Sequence, residues 1–289
     1  MKTRKIHYLF ILPALIYIII FGVYPTVYNI VLSLKDVSLI TYIRGSSQFV
    51  GLSNYIKVLQ DPVFHRTLIN TIIFTALSIF FQMLIGFLLA LLFHHDFPLK
   101  GLLQSLIMIP WVIPIIVSGS FFKWLFSDNG MLNNFLASLG MIREPIRWIT
   151  SESLAIFSLT LANIWLGIPF NFILLYTGIQ EIPEELYESA EIDGASGFQK
   201  VLYITLPLLK PVIVTTLTLG CIFTIKVFDL VWIVTKGGPG DASHLFSSLS
   251  YSLAFDRFRF GESAAVVIIM LVIVTVLVGL MSRIRVEEG

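Results

Sequence analysis

Long apolar runs and short polar intervals alternate along the chain. The apolar runs cover about residues 8–34, 68–93, 102–126, 154–179, 212–235 and 264–281. Each is long enough to cross a bilayer as a helix, which takes roughly 17–25 residues. The pattern predicts an all-α, polytopic membrane protein: one transmembrane domain over residues 1–289 with six spans. The first run could pass for a signal peptide, but it is long and lacks a small-residue cleavage site. Pro13 and Pro25 are expected to bend it. Pro110 and Pro114, in MIPWVIP, leave two readings open for the third span. Either the helix bends to line a pathway, or the kink serves packing alone.

The polar intervals differ in kind. Residues 35–65 are mixed, and Met131–Gly140 has helical apolar spacing suited to an outer surface. The stretch Glu184–Pro211, EELYESAEIDGASGFQKVLYITLPLLKP, is the most unusual. Pro183 suits a first helical turn, and Glu184, Glu185 and Glu188 complement the helix dipole near that end. Gly194 reads as a stop, free to adopt positive φ. A second short helix, Phe198–Ile204, is expected to end near Pro207.

Composition sharpens the class. Hydrophobic residues make up 56% and charged residues 13%, with mean hydropathy +0.88. A soluble domain carries roughly 25% charged residues. A net charge of +1 and no basic patch with interleaved aromatics point away from nucleic acid. The single cysteine, Cys221, excludes an intramolecular disulfide. Asn70 and Gln82 inside the second run suit interhelical hydrogen bonds. Lys226 and Asp229, three apart in the fifth, would share a helical face; they either pair locally or line a path. Charge alone leaves the orientation ambiguous, although Lys2, Arg4, Lys5, Arg283 and Arg285 favour cytoplasmic termini.

Catalytic chemistry is not indicated. The chain has no phosphate-binding G-x-x-x-x-G-K-[ST], no H-E-x-x-H, no G-x-G-x-x-G and no G-x-S-x-G. His94, His95 and Asp96 are adjacent, so their side chains do not converge, and no further ligand lies nearby. They read as a solvated turn, with no metal site and no cofactor in this chain. A secondary transporter or channel subunit is the alternative class, but coupling carboxylates within spans and internal repeats are not evident. Nor is the paired nucleophile and base of an intramembrane enzyme.

One motif is specific. Glu188, Ala190 and Gly194, then nine residues, then Ile204, Leu206 and Pro207, follow a fixed order. This resembles the loop motif of permease subunits of binding-protein-dependent ABC importers, with the MetI-like fold. Asp193-Gly194-Ala195 and Leu206-Pro207-Leu208 strengthen the match; Ser189 departs from the usual alanine. The stretch Phe49–Phe74, the TKGGP run Thr235–Pro239, and Gly261 with Ala264 and Ala265 resemble the sugar-importer branch. The likeness covers nearly the whole chain and is closest to the first-permease subunits of the maltose and glycerol-3-phosphate class.

The resemblance implies the rest. Spans two to six would form a five-helix core. A cytoplasmic coupling loop at 181–210 would seat Glu188, Ala190, Asp193, Gly194, Ala195 and Phe198 on an ATPase subunit. The implied partners are a second homologous permease, two ATPase subunits that bind ATP and Mg, an extracytoplasmic solute-binding protein, and membrane lipid. The implied location is a bacterial or archaeal cytoplasmic membrane, the implied cargo a sugar of the oligosaccharide class, and the mechanism alternating access driven by ATP. Asn163, Leu166, Gly167 and Phe170 share one helical face, and Gly220, Phe223, Thr224 and Val227 repeat the spacing. On spacing alone this suits helix packing. In the maltose branch N-x-W-L-G-x-P lines the sugar site, and Asn163, Trp165, Leu166, Gly167 and Pro169 match it. Thr224 and Val227 stand where that branch has asparagines, which implies a different hydrogen-bond pattern.

Overall fold

The computed structural model describes residues 11–286. Tyr8 to Phe10 of the expected first span, and Lys2, Arg4 and Lys5, lie outside the described residues. In chain order come helix α1 (Ile11–Ser33), strands β1 (Lys35–Asp36) and β2 (Gln48–Phe49) with α2 (Leu39–Ile43) between them, and α3 (Ser53–Gln60). Then follow α4 (Pro62–His94), α5 (Lys100–Val112), α6 (Ile115–Leu125), α7 (Met131–Ser138) and α8 (Ala155–Gln180). The chain continues with α9 (Glu184–Ile192), α10 (Gly197–Lys200), α11 (Leu206–Ile225), α12 (Asp229–Val234), α13 (Phe246–Tyr251) and α14 (Phe260–Val286). Among the described residues, five helical stretches are long and apolar enough to cross a membrane, six if α5 and α6 count as one span. The architecture is all-α apart from the two-residue strands.

Several boundaries differ from the expected ones, each for a local reason. α4 starts at Pro62 rather than 68: the Asp61 carboxylate accepts from the Val63 N–H (2.8 Å) and proline takes the first helical position. The third span is bent by 93° between α5 and α6. Ile113 is extended (φ −70°, ψ 129°), as expected of a residue before proline, and Pro114 follows in the same region. Pro110, by contrast, sits inside α5 without ending it. The short helix expected at Phe198–Ile204 does not end near Pro207. It runs from α10 through a π-helical turn at Val201–Thr205 into α11, so Pro207 lies just after a widened turn of a continuous helix. The fifth span instead breaks later, between Ile225 and Asp229. The last helix starts at Phe260, earlier than expected, and reaches Val286.

The chain divides into two compact units, residues 1–65 with 249–272, and residues 66–248 with 273–289. In the first, Asn54 Nδ2 donates to the carbonyls of Ser33 (2.8 Å) and Lys35 (2.9 Å), tying the end of α1 to α3. Gly261 lies against this junction: a Cβ there would stand 2.5 Å from the Lys35 carbonyl oxygen. Ser263 donates to the Ser250 carbonyl (2.7 Å), and Ala264 and Ala265 are buried.

In the second unit α8 packs against α5 and α11, and α12 against α6. One apolar cluster joins Phe74, Phe122, Leu159, Ala162, Leu230 and Val231. Another joins Phe93, Phe172, Leu175, Ile179 and Leu209. Lipid tails are as apolar as these side chains, so close packing and polar contacts, not transfer from water, hold such helices together. Asn70, expected to bond to another helix, instead reaches a loop: its Nδ2 donates to the Ala242 carbonyl (2.8 Å).

Candidate functional site

A cavity of about 630 Å³ opens in the second unit. Its first wall is the face of α8 that carries Asn163, Leu166, Gly167 and Phe170, and its second is Gly220, Phe223 and Thr224 of α11 with Val227 just beyond. The structure therefore brings all eight residues expected along a path to one space. Helical spacing explains each set of four, because positions i, i+3, i+4 and i+7 lie above one another. The packing of α8 on α11 brings the two faces together.

Two further walls had no place in the eight-residue expectation. The broken segment Pro110–Ile115 lines the cavity. Gln82 of α4 lines it too. Its Nε2 donates to the Asn163 carbonyl oxygen (2.8 Å), so the expected interhelical bond forms, but at the cavity itself. The signal for both was present: paired prolines, and a buried amide in an apolar run.

Aromatic rings follow one another along the cavity. Trp111 meets Phe170 edge-on (6.1 Å between centroids), and Phe170 meets Phe223 the same way (5.6 Å). The buried polar side chains of the lining are two amides, Gln82 and Asn163, and one hydroxyl, Thr224. Asn163 Nδ2 has no hydrogen-bond partner among the described residues. No lining side chain titrates near neutral pH. The site can stack against a flat apolar face and exchange hydrogen bonds with neutral hydroxyls, but it offers no acid, base or nucleophile.

One expectation about this region needs correction. Lys226 and Asp229 do not share a helical face, because the helix ends between them. Lys226 caps the C-terminus of α11 and Asp229 opens α12, so each charge sits at the helix end whose dipole favours it. The Lys226 ammonium lies 4.8 Å from the Phe223 ring centroid instead of pairing with Asp229. Gly167 lines the cavity beside Gln82. A Cβ there would fall 2.3 Å from Gln82 Cδ and Nε2, so Gly167 makes room for that amide.

The loop after α8 presents the other set of expected residues. α9 ends as expected at Gly194, whose φ is +78°. The Gly194 N–H donates to the Glu191 carbonyl (3.0 Å) and the Ala195 N–H to the Ala190 carbonyl (2.9 Å). This double closure satisfies the last carbonyls of the helix and needs a residue at ease with positive φ. Ser196 then caps α10: its hydroxyl accepts from the Gln199 N–H, and Gln199 Oε1 accepts from the Ser196 N–H. Lys200 pairs with Glu191 and holds its carboxyl below the usual glutamate range. Glu188, Asp193, Gly194 and Phe198 are exposed, while Ala190 and Ala195 are half-buried. Phe198 is 75% exposed and Ile192 87%, among the acidic side chains of the loop. Ile192 was not among the expected contacts, although an isoleucine in an acidic loop is a visible signal.

His94 stacks near Tyr187 of α9 (5.7 Å), and Asp96 pairs with Lys100 (2.9 Å), whose hydrogen bond lowers the Asp96 pKa. Among the described residues no group of three or more His, Cys, Asp or Glu is placed to hold a metal ion.

Residues 82–285 match the family described as "Binding-protein-dependent transport system inner membrane component". The chain is 35% identical over 275 residues to the "Trehalose/maltose transport system permease protein MalF" of Thermococcus litoralis, covering 94% of this chain and 91% of that protein. It is 32% identical over 274 residues to the "Lactose transport system permease protein LacF" of Rhizobium radiobacter, covering 92% and 90%. In fold it is similar to a chain of a bacterial ABC transporter involved in the import of the acidic polysaccharide alginate. The TM-score is 0.85 at 23% identity, over 100% of this chain and 97% of that one.

Proposed function

The chain belongs to the family of binding-protein-dependent transport system inner membrane components, and on that premise we propose that it is the transmembrane subunit of an ATP-driven sugar importer, of the oligosaccharide class. The whole chain acts as one permease domain. It contributes half of the translocation path; a second, homologous permease supplies the other half. Two ATPase subunits bind ATP and Mg and hydrolyse the nucleotide, so this chain is not itself an enzyme. An extracytoplasmic solute-binding protein delivers the sugar. The protein resides in the cytoplasmic membrane of a bacterium or archaeon, with both termini and the loop between α8 and α11 on the cytoplasmic side.

The observation that carries this reading is the cavity. Faces of two separate helices, with Gln82 and the broken segment, enclose a space walled by aromatic rings, aliphatic groups and neutral amides. Sugars offer apolar faces for stacking and hydroxyls for hydrogen bonds, and the lining supplies both. The loop supports the coupling part of the proposal. Glu188, Asp193, Gly194 and Phe198 form an exposed surface with Ile192, held in shape by its own caps, and it would seat on the ATPase with Ala190 and Ala195 behind it.

The test uses the reconstituted complex of this chain, the second permease, the ATPase subunits and the binding protein. Uptake of labelled maltose, trehalose and lactose is measured. Asn163→Ala and Phe223→Ala should each reduce uptake of the transported sugar at least about 10-fold, as expected for a lost hydrogen bond or aromatic contact at a buried site. Assembly and basal ATP hydrolysis should be unchanged. Uptake at wild-type rates by both variants would place the sugar elsewhere.

A further inference from the structure

One lining residue belongs to neither helical face. Gln82, on α4, is 4% exposed, and its amide lies flat across Gly167, within 2.3–2.6 Å of where a Cβ would stand. Its Nε2 donates to the Asn163 carbonyl oxygen (2.8 Å). A carbonyl can only accept, so this bond fixes which end of the amide is nitrogen and orients the oxygen as well. Gln82 Oε1 receives no hydrogen bond from any described residue. Asn163 Nδ2, on a residue 7% exposed, donates none. Gln82 therefore brings an unused acceptor to the cavity wall, whereas Asn163 Nδ2 is sealed within the protein. A substrate hydroxyl is a neutral donor that can meet this acceptor.

We propose that Gln82 is a specificity-determining residue that receives one substrate hydroxyl, Gln82 Oε1 accepting the hydroxyl proton. This rests on the cavity being the sugar site. It gives Gly167 a definite role, since a residue without a side chain lets Gln82 reach Asn163. It also explains how the site handles a hydroxyl although Val227, on the α11 side, offers no polar group.

The experiment takes the panel sugar that is transported and the full series of its monodeoxy analogues. Uptake by the reconstituted complex is compared between wild type and Gln82→Leu, with Gln82→Met as a second variant in case leucine impairs assembly. The binding protein is the same in both arms, so its own preferences cancel in the variant-to-wild-type ratio. Wild type should discriminate against one analogue by about 10-fold or more, because that analogue leaves the Gln82 oxygen unpaired. The Gln82 variants should lose that discrimination, taking up the parent sugar and that analogue within about 3-fold of each other. A residue that only braces the helices would lower every rate in parallel, and a parallel profile would overturn the assignment. If Asn163→Ala and Phe223→Ala abolish uptake while the profile stays parallel, this inference alone falls. If those two variants transport normally, the cavity assignment falls with it.

Discussion

In the loop at 184–200 each residue that sets the backbone finds its partner nearby in the chain. Ala195 closes on Ala190, Ser196 and Gln199 cap one another, and Lys200 reaches Glu191 across nine positions. In the cavity the decisive bond, Gln82 to Asn163, spans 81 positions and joins two helices. The loop is polar, exposed and held by local bonds. The cavity is buried, and three other elements meet on α8 to enclose it. A change in the loop should therefore stay local and act on what docks there. A change in the cavity wall should pass from one helix to the next.

Gly167→Leu tests the second half of that contrast most severely. Even alanine at 167 places a methyl group 2.3 Å from the Gln82 amide. Overpacking a fitted interior typically costs about 1–3 kcal/mol. Gly167→Leu should reduce uptake about 100-fold or more, and Gly167→Ala about 10-fold, through displacement of Gln82. Adding Gln82→Ala to Gly167→Ala should relieve the clash and restore assembly measured by thermal stability, though not sugar discrimination. If Gly167→Ala is as active as wild type, Gln82 gives way without loss and its position does not set the uptake rate.

Gly194→Val is the matching test in the loop. A β-branched residue at φ +78° suffers strain of about 1–2 kcal/mol or more, and the space around position 194 is open, so no clash accompanies it. The subunit should insert and assemble, while uptake per ATP hydrolysed falls several-fold. Normal coupling ratios in that variant would remove the loop from the docking surface.

A smaller effect separates pairing from helix-end charge. Exchanging Lys226 and Asp229 would preserve an ion pair if there were one. Here the exchange puts each charge at the unfavourable end of its helix, at about 0.3–1 kcal/mol apiece. A lowered melting temperature is expected, and an unchanged one would favour a pair in the assembled transporter.

The smallest effect concerns pH. Lys200 depresses the Glu191 pKa, so the pair's contribution is present above the ordinary glutamate range and fades as the pH falls through and below it. Amide exchange at residues 191–200 should quicken on acidification, and Glu191→Gln should abolish that dependence. Because both groups are near the surface, uptake at neutral pH should change by less than about 2-fold.

Much of this was legible along the chain, because it depends on near neighbours. Apolar runs specify helices wherever backbone groups must satisfy themselves away from water. Pro183 and Gly194 announce the ends of the loop's first helix for equally local reasons. The repeated i, i+3, i+4, i+7 spacing in two runs marked the faces that line the cavity, although spacing alone suited packing just as well. What tertiary structure alone decided is which helices meet. Nothing in the order of residues says that Gln82 lies on Gly167, since that contact depends on how α4 and α8 approach each other. Nor does it say which of two prolines breaks the third span. Pro110 keeps its helix and Pro114 does not, because Ile113 is free to turn extended where the chain bends. The charges at 226 and 229 follow the same rule: a helix that continued would have paired them, and its interruption gave each a helix end instead.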